Sequence, residues 1–300
     1  NPPWGGAPLQ APIAGEPVQA TLPLIEQTAV SRENGYEIAI IGMSGRFPEA
    51  PDAETYWRNL LAGKDCIKEI PKERWDHMLY FNPDPDHPHT AYARWGGFIE
   101  DVDKFDPLFF NISPREAEEM DPQQRLLLEC TWHTMENAGY GVKTLWKDKA
   151  VGLYVGVMWN EYSQLCTSKG FMHDRYVGPG SIYWAIANRV SYFMGFTGPS
   201  LAIDTACSSS LTALHLACQG ILNNECEMAV AGGVNLSIHP EKYIYLSQAK
   251  FLAADGRCRS FGNIHKCRPV LIGPILKIGP VLRHCPLSYP HPIRNRLWLQ

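Results

Sequence analysis

Cys207 stands where the backbone can do most for a thiol. The segment Gly198–Gly220 reads Gly-Pro-Ser-Leu-Ala-Ile-Asp-Thr-Ala-Cys-Ser-Ser-Ser-Leu-Thr-Ala-Leu-His-Leu-Ala-Cys-Gln-Gly. A short apolar strand, Leu201–Ile203, runs into a turn of small residues, and a helix follows. Leu211, Leu214, Cys218 and Ile221 share one face of that helix at 3.6-residue spacing. A cysteine at a helix start meets unpaired N–H groups and the positive end of the macrodipole, which favour thiolate over thiol. The same amides, that of Cys207 included, can bind the oxyanion formed when a thiolate attacks a thioester carbonyl. Ser208, Ser209 and Ser210 are small enough to let a substrate approach. The chemistry on offer is covalent acyl transfer. A buried, inert cysteine is the competing reading, and the strand–turn–helix setting weighs against it. A hydrolase would need a positioned histidine base. His215 lies two turns along the same helix and cannot be that base.

The elements around this turn alternate. Tyr36–Gly42 reads as a first strand, and Gly42–Arg46 as a strand-ending turn without a phosphate-loop pattern. Asp52–Leu61 reads as a short helix, and Pro71–Phe98 as loop. Asp84, Asp86, His87 and His89 lie close together there, but the surrounding prolines work against a preformed ligand cage, so no metal site is assigned. Ser113-Pro114-Arg115-Glu116 and Asp121-Pro122-Gln123-Gln124 are two helix starts in succession. The second helix turns Leu127, Cys130, Trp132 and Met135 to a core and stops at Gly139. Val151–Val157 and Met228–Val234 read as strands, and Ser181–Phe193 as a helix. Strand–helix–strand alternation predicts an α/β fold on a central sheet.

Bulk properties narrow the class. The 300 residues are 45% hydrophobic and 19% charged, with net charge −4, which suits a globular chain and gives no sign of a nucleic-acid or membrane surface. Nine cysteines at irregular spacing contain no Cys-x-x-Cys pair, so neither zinc nor a disulfide framework is indicated and a reducing cytoplasm is expected. Residues 1–35, Pro/Ala-rich, read as a linker, and a chain starting at Asn1 reads as a segment of something longer.

Several separate words resemble one family. Asp204–Ser210 is similar to the active-site motif of the β-ketoacyl synthases of polyketide synthases. Ile38–Pro48 resembles the opening of such a ketosynthase domain, and Phe105–Glu129 a long signature within it. Ala187–Ser191, Gly198–Ser200, Ala231–Asn235 and Asp255–Gly262 follow in the family's order. The wording at Met158–Tyr162 and Tyr192–Met194 looks most like bacterial modular synthases that use separate acyltransferases.

The resemblance implies a thiolase-like α/β fold, of which residues 36–262 are the first half, and a homodimer for the full domain. It implies that Cys207 takes an acyl chain from the phosphopantetheine arm of an acyl carrier protein, with no cofactor or metal held by this chain itself. A malonyl-type thioester on a carrier protein would then lose carbon dioxide and condense with that acyl group. The two histidine motifs that assist condensation in the family are absent. The alternative function is therefore an incomplete fragment that can at most self-acylate. After Gly262 the pattern breaks. Residues 263–300 hold six prolines, six Lys or Arg and no Asp or Glu. They read as a disordered tail, an out-of-frame or mis-predicted ending, that prolines bar from an extended helix and a central strand. A basic partner-binding tail is the competing view.

Overall fold

The computed structural model describes residues 37–141, 146–168, 170 and 182–257, and the backbone of 276–285. The chain divides between Gly35 and Tyr36. The linker expected over 1–35 lies outside the described residues, as do Cys258, His173, His265 and His291.

A five-stranded mixed sheet organises the second unit. Its strands are β1 (Glu37–Arg46), β4 (Val151–Val157), β5 (Ser200–Ile203), β6 (Met228–Val234) and β7 (Leu276–Cys285), in the order β1-β7-β6-β4-β5. β4 pairs in parallel with both β5 and β6, while β7 runs antiparallel to β1 and β6. Two short strands, β2 (Lys68–Glu69) and β3 (Trp95–Gly96), form a separate ribbon. Every residue of β4 and β6 is buried, as parallel strands covered on both faces require.

Helices α1 (Ala53–Leu61), α2 (Pro114–Glu119), α3 (Pro122–Asn137), α4 (Tyr162–Ser168), α5 (Tyr183–Met194), α6 (Ser209–Leu222) and α7 (Glu241–Gln248), with 3-10 turns at His77–Leu79 and Ala206–Ser208, complete the described elements. One sheet face packs Leu153, Val155 and Val230 against Leu127 and Met135 of α3 and Ile186 and Val190 of α5. The other packs Tyr154, Ala229 and Ala231 against Ala213, Ala217 and Ile221 of α6. Helix, sheet and helix thus stack in three layers.

The cap signals act as their chemistry requires. The Ser113 hydroxyl accepts the Glu116 N–H at 3.2 Å and the Asp121 carboxylate that of Gln123 at 2.8 Å, each followed by proline in the first turn. Gly139 closes α3 at φ 84°. Asp121 is wholly buried, and burial raises its carboxyl to about 6 against the opposing Gln123 hydrogen bonds. The folded state therefore holds a proton that the unfolded chain releases near pH 4. Asp121 stabilises the fold fully below that point, and the contribution is lost as pH rises through about 6. Asp121→Asn keeps an acceptor for the cap. It is expected to remove a fall in unfolding free energy of up to about 1.4 kcal/mol per pH unit between about pH 4 and pH 6. Urea melts across that range measure it, and an unchanged slope in the variant would refute the assignment.

Three expectations are corrected. Gly42–Arg46 is not a strand-ending turn, since β1 runs on through Arg46 and pairs with β7 along that stretch. The tail does carry a central strand, since β7 lies between β1 and β6. The register slips on both sides between Ile278 and Val281, the stretch holding Gly279 and Pro280. Proline has no N–H to give a ladder, and such irregular pairing is where a sheet accommodates it. The helix after Cys207 is also turned slightly from the expected face: Leu214, Cys218 and Ile221 do pack inward, but Leu211 does not and an alanine row leads. Ala213, Ala217, Gly220 and Ile221 are buried, while Leu211 is 71% exposed. Small residues let the helix axis come close to the strands, and a leucine row would hold it off.

Candidate active site

The turn between β5 and α6 is tied to itself by short polar side chains. Asp204 Oδ1 accepts the Ala206 N–H at 2.9 Å. Ser209 Oγ accepts the Thr205 N–H at 2.9 Å and donates to the Ala206 carbonyl at 2.6 Å. Ser208 Oγ lies 2.9 Å from both oxygens of Thr205, and Thr205 Oγ1 is 3.0 Å from Thr212 Oγ1. Asp204 and Thr205 hold the turn, while Cys207 sits exposed in the single 3-10 turn Ala206–Ser208 that leads into α6. Among the described residues the Cys207 amide has no acceptor. It is a free donor beside the thiol at a helix start, the arrangement an oxyanion needs.

Ala206 reaches this geometry at φ 54°, a left-handed conformation that costs a residue with a Cβ roughly 1–2 kcal/mol. A β-branched side chain fits there worse still. Ala206→Val is expected to lower unfolding free energy by more than about 1 kcal/mol, and Ala206→Gly to leave it unchanged or raised by under about 1 kcal/mol. Equal urea midpoints for the two variants would show that the turn is not strained.

Two glycines seat the helix start, and sequence reading missed both. Gly156 of β4 and Gly233 of β6 are register partners. A Cβ at Gly156 would lie 2.7 Å from the Ser209 carbonyl carbon and the Ser210 nitrogen, and one at Gly233 would lie 3.0 Å from Ser210 Cβ. Glycine within an apolar strand was the available signal, since it marks close backbone approach.

A cavity of about 640 Å3 opens beside the turn. Cys207 and Ala206 form one wall, Trp159, Tyr183 and Tyr245 bring aromatic surface, and Glu161 and Lys242 line it as well. Glu161 and Lys242 are 4% and 1% exposed. Burial pushes the Lys242 ammonium down to about 8 against the attraction of Glu161, and burial raises the Glu161 carboxyl against Lys242 and two backbone amides. The sequence hid this pair, because a lysine in an amphipathic helix is ordinarily solvated. Another cavity of the same volume lies by Arg74, Arg125 and Cys166. Burial raises the Cys166 thiol, which disfavours its thiolate, so size does not choose between the two and the thiol's setting does.

The histidines stay apart from Cys207. His215 is exposed on α6, His239 is half-buried with its Nδ1 accepting the Glu241 N–H at 3.3 Å, and no histidine lines the Cys207 cavity among the described residues. At the Asp84–His89 cluster, Asp84 Oδ1 accepts the Asp86 N–H at 3.0 Å and Asp86 pairs with Lys250 at 2.7 Å. No helix among the described residues is long and apolar enough to cross a membrane.

Comparison with known proteins is consistent with this geometry. Residues 36–264 match the family model of the β-ketoacyl synthase N-terminal domain. Polyketide synthase PksL of Bacillus subtilis is 54% identical over 244 residues, which are 79% of this chain and 5% of that protein. Polyketide synthase ThaG of Burkholderia thailandensis is 51% identical over 225 residues, 75% of this chain and 4% of its own length. The chain therefore spans a small part of the relatives it matches. Among solved structures, the oxazolomycin ketosynthase domain OzmH KS7 of Streptomyces albus JA3453 superposes with TM-score 0.74 at 47% identity, covering 83% of this chain and 42% of that one. The ketosynthase from module 6 of the bacillaene synthase of Bacillus subtilis 168 gives 0.71 at 39% identity, covering 83% and 40%.

Proposed function

Because the chain belongs to the β-ketoacyl synthase family, through the N-terminal domain that residues 36–264 match, we propose that Cys207 is the acyl-accepting nucleophile of a polyketide synthase ketosynthase. The observation that carries this reading is the exposed Cys207 thiol, on a cavity wall at the start of α6, beside its own unshared amide. The thiolate attacks the thioester carbonyl of an acyl chain on the phosphopantetheine arm of an acyl carrier protein. The negative charge moves to the carbonyl oxygen, where the Cys207 N–H receives it. Collapse of that intermediate expels the pantetheine thiolate, which takes up a proton, and leaves the acyl group on Cys207.

In the whole domain, a malonyl-type thioester on a carrier protein then loses carbon dioxide, and its enolate attacks the Cys207 thioester. The product is a β-ketoacyl thioester two backbone carbons longer. We place this activity in a cytoplasmic bacterial modular synthase, with a homodimeric full domain and no role for nucleic acid or membrane. The words at Trp159 and Tyr192 support a synthase served by separate acyltransferases. Edge strand β5, with Leu201 43% exposed, supports pairing with a second copy.

A second reading, a fragment that self-acylates without condensing, is favoured by one observation: no histidine lines the cavity among the described residues. Intact-protein mass spectrometry after incubation with an acyl N-acetylcysteamine thioester tests the first step. A single acyl adduct on Cys207 is expected, and folded protein that takes up none would overturn the proposal. Adding a malonyl-loaded carrier protein separates the readings. Transfer of the acyl group into a β-ketoacyl product supports the full reaction, and an adduct that persists supports the fragment.

A further inference from the structure

Two residues lining the Cys207 cavity carry buried hydrogen-bond acceptors that acyl transfer does not use. Glu161 Oε2 accepts the backbone N–H groups of Ile238 at 2.7 Å and His239 at 3.3 Å. Glu161 Oε1 is buried and, among the described residues, has no hydrogen-bond partner. The Asn160 Oδ1 beside it is in the same condition. Both residues line the cavity. Lys242 cannot supply the missing bond, because its Nζ lies 3.9 Å from Glu161 Oε1. Its three protons go to Asn235 Oδ1 at 2.8 Å, the Leu236 carbonyl at 2.7 Å and Ser237 Oγ at 3.2 Å. A buried acceptor left unpaired is destabilising, so a ligand group able to fill it is favoured over one that cannot.

Three features state what the group is. Glu161 and Lys242 are an ion pair of opposite charge, so the wall has no net charge to attract a cation. Burial raises the Glu161 carboxyl. A hydroxyl can donate to a carboxylate or accept from a carboxylic acid, and so fits either form. Depth distinguishes acyl chain from carrier arm. Cys207 is exposed whereas Glu161 is 4% exposed, so the arm arrives from the solvent side of the thiol and the acyl chain points inward. The rings of Trp159 and Tyr245, with centroids 6.0 Å apart, give that chain an apolar surface.

We propose that Asn160 and Glu161 form a polar subsite that selects acyl chains bearing a hydroxyl group. The proposal rests on Cys207 being the acyl acceptor. Its test is the rate of Cys207 acylation by hexanoyl N-acetylcysteamine thioester, compared with analogues carrying one hydroxyl at the third, fourth or fifth carbon. One hydroxyl position is expected to react about 10-fold faster than hexanoyl, which corresponds to about 1.4 kcal/mol. The double variant Glu161→Met, Lys242→Met removes the buried pair together, so that neither charge is stranded. The hydroxyl-to-hexanoyl ratio is expected to fall to near one in it.

Equal rates for all four thioesters in the unaltered chain overturn the subsite while leaving the nucleophile intact. A preference that survives in the double variant overturns the role of Glu161. Should that variant fail to fold, the unaltered chain's series decides alone. No adduct from any thioester overturns the nucleophile assignment, and the subsite falls with it.

Discussion

Cys207→Ala is expected to abolish acyl uptake, lowering the rate of adduct formation by on the order of 10^3-fold or more, as removal of a covalent nucleophile does. The size of the effect follows from the other thiols. Among the described residues, Cys130, Cys166 and Cys226 are buried, Cys66 and Cys218 are half-buried, and Cys207 alone is exposed. Burial pushes Cys130 up to about 12 and raises Cys66, Cys166, Cys218 and Cys226 as well. At neutral pH those five hold little thiolate, and the thiolate is the attacking form. The check is intact mass against time, with peptide mapping to locate the acyl group. An adduct of equal yield in Cys207→Ala would place the nucleophile elsewhere and remove the basis of the proposed function.

Gly156→Ala is expected to cost both stability and chemistry. The added methyl would lie 2.7 Å from two backbone atoms of the α6 start, the Ser209 carbonyl carbon and the Ser210 nitrogen. Backbone cannot swing aside as the end of a long side chain can, so the helix start must move. Overpacking of this kind costs about 1–3 kcal/mol. The shift also carries Cys207 away from its place, and a misplacement near 1 Å can cost about 10^2 in rate. Urea unfolding gives the first quantity, and acylation rate per folded molecule the second. Gly139→Ala is the control. Gly139 has φ 84° with nothing near its missing Cβ, so that variant is expected to lose roughly 1–2 kcal/mol without any change in acylation. Wild-type acylation by folded Gly156→Ala would mean that the glycine pair does not position the thiol.

Local signals carried much of this architecture. The apolar runs of β4 and β6 coincide with the strands, because a fully buried parallel strand is apolar throughout. Ser113-Pro114 and Asp121-Pro122 marked the starts of α2 and α3, because cap chemistry acts within three residues. The strand–turn–helix setting of Cys207 was legible for the same reason. What escaped depends on partners distant in sequence. Periodicity found Leu214, Cys218 and Ile221 of the inward face of α6 but also gave it Leu211, whereas the row nearest the sheet is Ala213 and Ala217, because the helix sits close to Gly156 and Gly233. Lys242 reads as a surface charge until Glu161, distant in sequence, is seen beside it, with Asn235 nearer along the chain completing its hydrogen bonds. Proline counting excluded a central strand from the tail. It could not foresee that two register slips would let β7 pass Pro280.

The place of β7 has a kinetic consequence. Glu37, at the start of β1, pairs with Cys285 near the other end of the chain, while Met228 pairs with Arg283. On a ribosome, β4, β5 and β6 can assemble with their covering helices long before residues 276–285 emerge. Until then β1 has no partner in the sheet and β6 presents a bare edge, the form in which strands join other chains. Closure of the sheet is therefore the last step and a high-contact-order one, delayed by the entropy of bringing the ends of a long loop together. The chain passes its most aggregation-prone moment just before residues 276–285 emerge, with the Cys207 turn already formed and its sheet still open.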